Sequence, residues 1–247
     1  MAERIPLNTA AGPPGSWLAR CEPLADDALL LHYGASTAPI DTAANARVHR
    51  AVARIRRAAP PWLRDVVPAY ASLAVFFDNT LVVPVTVRDW LLAYDDDADA
   101  VMQTGSTTCI EIPVAYGGAF GEDLESAAQE LGLTPDSLAS RHSSGLYTVA
   151  MIGFAAGFPY LSGLSPELAL PRLATPRTRV PAGSVAIGGA QTGVYPQTSP
   201  GGWRLLGRTP LLLFDPQREI PSLLAPGDQV RFRRISAEEF AALERAP

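Results

Sequence analysis

Three stretches between Gln191 and Pro210 hold the densest hydrogen-bonding capacity in the chain: Gln191-Thr192-Gly193-Val194-Tyr195-Pro196, Ser199-Pro200-Gly201-Gly202-Trp203-Arg204 and Gly207-Arg208-Thr209-Pro210. Paired glycines let a backbone approach a ligand and present N–H donors. Arg204 and Arg208 supply planar cations suited to carboxylate or phosphate, and Gln191, Ser199 and Thr209 add neutral donors and acceptors. Together they read as a site for an anion or a developing oxyanion. Each Gly or Pro taken singly is better explained as a tight turn of a β-barrel. The cluster as a whole favours function, because turns do not need so many donors beside them.

A second stretch, Gly153-Phe154-Ala155-Ala156-Gly157-Phe158-Pro159-Tyr160-Leu161, leaves an apolar strand and loops at once. Its aromatics, Phe158 among them, suit the wall of a ligand cavity or a buried corner equally. Arg172 and Arg177 follow in extended Pro-bearing sequence, either as further anion donors or as a solvated edge. His142 sits where a helix should end and a long strand begin. A helix C-terminus favours its charged form and apolar surroundings oppose it. Alone it reads as structural; its nearness to the Gly153 loop makes a proton-transfer role comparably good.

Composition closes several routes. All 20 basic residues are arginine. The chain therefore has no P-loop lysine and no lysine for Schiff-base or general-base work. Cys21 and Cys109 stand far apart, and the three histidines assemble no metal-ligand spacing, so no metal is expected. Asp95-Asp96-Asp97-Ala98-Asp99 lacks the pattern of a calcium loop and reads as a solvated turn. With a net charge of −5, and basic residues concentrated only in the helix bearing Arg47, Arg50, Arg54, Arg56 and Arg57, nucleic acid is not an expected partner. The N-terminal residues lack a signal-peptide pattern, and no apolar run is long enough for a membrane span. A cytoplasmic location is expected.

The elements that would position these residues fall into two halves. After residues 1–15, expected to fray, Ala28–Tyr33 reads as a strand. Asp41 should cap a helix to about Arg57, stopped by Pro60-Pro61. Ser72–Phe77 reads as a strand, and Thr86 as the cap of a helix carrying Trp90, Leu91 and Leu92. The boundary is expected at Gln103–Thr107, giving a small α+β sandwich over 16–104 and a second domain over 105–247. In the second half Cys109–Val114 reads as a strand, Gly121–Leu131 as a helix, and Thr134-Pro135 as the start of another. Leu146–Phe154 reads as a long strand. Beyond Phe154, short apolar runs alternate with Gly and Pro until a helix at Ala237, the spacing of a sheet or barrel. The fold class is α+β.

The motifs from Gly153 to Pro210, with Pro171-Arg172-Leu173 and Val180-Pro181-Ala182-Gly183-Ser184-Val185 between, resemble the family of the prokaryotic 5-oxoprolinase B subunit. The same family is known as allophanate hydrolase subunit 1 and as the kinase inhibitor KipI. The resemblance runs forward through Glu111-Ile112-Pro113-Val114, Tyr116-Gly117-Gly118, Val67-Pro68-Ala69-Tyr70 and Ser72-Leu73, covering nearly all of the chain but its first fifteen or so residues. Ala156 departs from it, standing where the family usually has proline. The resemblance implies a small N-terminal α/β domain followed by a cyclophilin-like β-barrel. It also implies a C-type partner protein and a third component, with ATP-dependent opening of 5-oxoproline to glutamate, the chain being inactive alone. ATP would be held by arginines, backbone donors or the partner. In that reaction Arg204 and Arg208 would neutralise developing charge and His142 would move a proton. Gln191 and the Gly201-Gly202 backbone would orient the ring, with Phe158, Arg172, Tyr195, Ser199 and Thr209 beside them. Other readings of the resemblance are a regulator that binds a sensor histidine kinase and a urea-carboxylase-like carboxyl transfer, which would need a biotin carrier on another protein.

Overall fold

A computed structural model describes residues 10–11, 18–34, 41–95 and 109–245 of the protein. The chain divides into two compact units, Met1–Gly105 and Ser106–Pro247. Of residues 1–15, expected to fray, Ala10–Ala11 instead form a short strand paired antiparallel with Arg20–Cys21, because the partner strand offers them backbone hydrogen bonds. The rest of that segment, the acidic turn after Asp95 and the Gln103–Thr107 boundary lie outside the described residues.

The first unit runs β1 (Ala10–Ala11), β2 (Arg20–Ala25), β3 (Ala28–His32), α1 (Thr42–Ala58), β4 (Leu63–Pro68), β5 (Ser72–Phe77) and α2 (Pro84–Asp95). The strands form an antiparallel sheet in the order β1-β2-β3-β5-β4. Alternate residues of β5 are buried, and Leu73, Val75 and Phe77 pack with Leu29 and Leu31 of β3 against Val48, Val52, Ile55, Val87 and Leu91 of the helices. Asp41 caps α1 as expected, accepting from Ala43 N at 2.9 Å and Ala44 N at 3.0 Å. Helix α2 starts two residues before Thr86, at Pro84, whose fixed φ suits a first turn. Strand β2 escapes an apolar reading because only Cys21 of its six residues is buried.

The second unit runs β6 (Cys109–Tyr116), α3 (Leu124–Glu130), α4 (Pro135–Ser144), β7 (Tyr147–Ile152), β8 (Pro159–Ser162), β9 (Arg177–Val180), β10 (Ser184–Gly188), β11 (Gln191–Val194), β12 (Ser199–Gly201), β13 (Arg204–Arg208), β14 (Gln229–Arg234) and α5 (Ala237–Glu244). Seven strands close a barrel in the order β10-β11-β8-β7-β14-β6-β13, so the expected α+β class with a barrel holds. β14 lies parallel to β6 and the other pairs are antiparallel. Thr134 caps α4 by accepting from Ser137 N, with Pro135 at the first position as expected. β9 and β12 form a separate two-stranded ribbon.

All five residues of β10 are buried, which a strand with one wet face cannot show. The reason is a covering on each side. Val185, Ile187, Val194 and Leu206 belong to the barrel interior with Ile112, Val149 and Phe232. Ala186, Tyr195 and Leu205 instead join Phe158, Val180 and Trp203 in a second, smaller cluster. The wall β10-β11-β13 therefore separates the barrel core from an aromatic layer outside it. Among the described residues no helix is long and apolar enough to cross a membrane.

Candidate functional site

The outer layer is open. A cleft of about 190 Å³ is bounded by Phe154, Phe158, Tyr160, Tyr195 and Trp203, by Arg172, Leu173 and Pro176, and by Pro200, Gly201 and Gly202. Phe158 is the hub of its walls: its ring meets Tyr195 edge-on at 5.1 Å, Trp203 at 5.7 Å and Tyr160 at 4.9 Å. Such pairs contribute about 0.5–1.5 kcal/mol each beyond their buried area, so the walls are held before any ligand arrives.

Glycine makes the layer possible by close approach rather than by offering donors. A Cβ on Gly193 would stand 2.7 Å from Pro159 O and 3.2 Å from the rings of Phe158 and Trp203. One on Gly201 would stand 2.8 Å from Tyr195 Cζ. Because the Tyr195 ring is buried and braced by Phe158, Gly201→Ala must turn that ring into the cleft. We expect about 1–3 kcal/mol of destabilisation from overpacking, read by urea unfolding, together with weaker ligand binding.

Phe154 stands at the rim with 64% of its surface exposed and a φ of 67°. Ala155 N donates to Gly153 O at 2.8 Å, closing a γ-turn around it. Apart from Ala59 it is the one non-glycine among the described residues in the left-handed region, a conformation that costs on the order of 1–3 kcal/mol and concentrates at ligand clamps. The Phe154 ring leans edge-on over Phe158 at 5.5 Å.

Charge in the cleft is sparse and asymmetric. The Arg172 guanidinium lies 5.8 Å above the Trp203 ring and pairs with no carboxylate among the described residues. Arg177 is already neutralised: Nε donates to Glu122 at 2.8 Å and Nη2 to Asp123 at 2.7 Å. The buried Asp123 carboxylate also accepts from Leu205 N at 2.7 Å. Since Gly201 pairs with Arg177 across the β9–β12 ribbon, this clamp ties the ribbon edge of the cleft to α3 and β13. Burial raises the Tyr195 hydroxyl pKa, and the Trp203 backbone N–H bonds its oxygen, so Tyr195 stays protonated and can donate. The Tyr160 hydroxyl is raised by burial as well.

Of the residues expected to form the site, Phe158, Arg172, Tyr195, Gly201 and Gly202 meet here; the others do not. His142 is fully buried inside the barrel, stacked on Phe232 at 4.9 Å. Thr192 Oγ1 donates to Ala186 O at 2.9 Å and so accepts from His142 Nε2, also at 2.9 Å. The Tyr116 hydroxyl then donates to Nδ1 at 2.8 Å. Burial lowers the pKa of His142 to about 3. Neutral, doubly bonded and on the inner face of β11, it is a core strut, with the strand itself between it and the cleft. Arg204 and Arg208 sit at opposite ends of β13, about 13 Å apart along a strand. Arg204 turns to Glu130 at 2.9 Å, whereas Arg208 Nε bonds Ala182 O at 2.8 Å beneath Phe240. Gln191 opens β11 in its hairpin with β10, opposite Gly188. Thr209 is buried and accepts from Leu211 N. Ser199 lies on β12 with its hydroxyl buried. No group of three or more metal-ligating side chains gathers among the described residues.

The sequence assigns no individual role to Phe154, Tyr160, Leu173, Pro176, Pro200 or Trp203, although Phe154 and Tyr160 stand in the aromatic stretch read as a possible cavity wall and Pro200 and Trp203 in the donor-rich one. The available signal was the recurrence of Phe154, Phe158 and Tyr160 beside glycine, matched by Trp203 after Gly201-Gly202. The Asp123–Arg177 clamp had no local signal, since its members lie 54 residues apart.

A barrel with this layered wall and cleft defines a class. The model of the carboxyltransferase domain, subdomain C and D, matches residues 19–224, and the chain belongs to that family. It is 41% identical to the 5-oxoprolinase B subunit of Bacillus subtilis over 90% of this chain and 95% of that one. It is also 41% identical to the 5-oxoprolinase B subunit of Escherichia coli O157:H7, over 87% of this chain and 95% of that one. Among solved structures, TTHA0988 matches with a TM-score of 0.72 and 38% identity, over 85% of this chain and 40% of that longer one.

Proposed function

We propose that the chain is the B subunit of an ATP-dependent 5-oxoprolinase, acting with a C-type homologue and a third component in the opening of the 5-oxoproline lactam to glutamate. The observation that carries this reading is the match to two 5-oxoprolinase B subunits across nearly their whole lengths. A relative in which this fold makes up 40% of a longer chain fits a protein that works with a further polypeptide.

The chemistry asks for a protein of this kind. A lactam is resonance-stabilised, and activating its carbonyl oxygen by phosphoryl transfer supplies a leaving group that water attack alone lacks. The residues that line the cleft would hold and orient the ring, while the nucleotide is held with the partner proteins. Among the described residues nothing in the cleft resembles a triphosphate cradle, because Arg172 is the one cation that lines it, and Glu122 and Asp123 lie at the ribbon edge. A cytoplasmic location accords with such a reaction.

Mixing the purified chain with the other two components of the enzyme should give ATP-dependent loss of 5-oxoproline that disappears when this chain is omitted. Undiminished turnover without it, or none with it, would remove the reading. Tight binding to a sensor histidine kinase in place of turnover would favour the regulatory alternative.

A further inference from the structure

Resting on that reading, we infer that the aromatic cleft of the second unit is the subsite for a five-membered lactam bearing a single carboxylate, with Arg172 as the residue that selects the carboxylate. The size fits a small metabolite. At about 190 Å³ the cleft is well below the several hundred Å³ of pockets for drug-sized ligands. The shape fits a flat ring, which can lie against Trp203 and Tyr160, whose rings meet at 72° and 5.8 Å to form a corner.

Charge sets the rest of the specificity. Arg172 is exposed, its guanidinium carbon 5.8 Å from the centre of the Trp203 ring, and free of carboxylate partners among the described residues. A guanidinium held over an aromatic face keeps N–H donors that can take a carboxylate bidentately. One unneutralised cation favours a monoanion. The neutral pole is Tyr195, whose oxygen accepts from the Trp203 backbone and whose hydroxyl proton is therefore directed away from that N–H. A lactam carbonyl is an acceptor of the kind such a donor serves. The ligand is thus an uncharged amide ring at the aromatic end and an anion at the Arg172 end.

The test uses the assembled complex of this chain with its partner proteins. Arg172→Gln should raise KM for 5-oxoproline about tenfold or more, as expected for losing a charge-assisted contact, and leave kcat within about twofold. 2-Pyrrolidinone is the same ring without the carboxylate; as a competitor it should inhibit the native and Arg172→Gln complexes equally. Calorimetry without ATP should show the same loss of 5-oxoproline binding, and circular dichroism should show the variant folded. Unchanged KM and calorimetric affinity in the variant would overturn this subsite while leaving the assignment to a 5-oxoprolinase standing. A native complex that neither binds nor turns over 5-oxoproline overturns both. If the variant weakens 2-pyrrolidinone as much as 5-oxoproline, Arg172 shapes the cleft rather than selecting the carboxylate, and the inference falls.

Discussion

Asp123→Ala is expected to lower the stability of the second unit by roughly 3 kcal/mol, the scale of breaking a largely buried ion pair. The carboxylate is buried and serves two partners at once, Arg177 Nη2 at 2.7 Å and Leu205 N at 2.7 Å. Its removal leaves the Leu205 N–H without an acceptor on the covered side of β13 and Arg177 with only the exposed Glu122. Orphaned buried donors cost about 1–3 kcal/mol each. Asp123→Asn keeps an acceptor for Leu205 but not the charge, so it should recover about half of the loss. Urea unfolding, with amide exchange of β13 reporting on the second unit, measures both. A loss under about 1 kcal/mol for the alanine variant would place the clamp among ordinary surface pairs. The ribbon carrying Gly201 hangs on this clamp, so KM for the cleft ligand should rise as well.

Acidification should destabilise the same unit through His142. Its folded pKa of about 3 lies below the ordinary 6.5 because burial disfavours the charged ring. Above pH 6.5 both states hold the ring neutral and stability is unaffected. Below it the unfolded chain takes up a proton that the folded barrel refuses, and stability falls by about 1.4 kcal/mol per pH unit. Between pH 6.5 and 4.5 this amounts to roughly 2.7 kcal/mol, and the fall levels off near pH 3. His142→Gln isolates the contribution: the variant is less stable at pH 7.5, and its further loss at pH 4.5 should be smaller than the native protein's by about that amount. Equal losses would mean that the ring is protonated in the folded state, which the bonds from Tyr116 and to Thr192 do not accommodate.

The contrast between His142 and Phe158 shows how far sequence reaches. Both stand close to the Gly153 loop in sequence, and both are candidates on that ground. Strand alternation decides between them: Thr192 and Val194 face the barrel core, whereas Gly193 and Tyr195 face the aromatic layer. No local pattern tells which face of a strand buried on both sides carries the ligand. Arg204 and Arg208 illustrate the same point, because five residues of β13 carry them to opposite ends of one strand while their spacing alone suggests a pair.

Composition and local signals alone determined the α+β class, the Asp41 and Thr134 caps, the lack of lysine chemistry and the barrel texture of the second half. These depend on residue type and short-range geometry. Tertiary structure alone decided that glycines serve to seat Trp203 and Tyr195, that Asp123 reaches across to Arg177, and that Arg172 is left without a carboxylate among the described residues. Each of these depends on contacts between segments distant in the chain, and the closure of the barrel wall brings those segments together.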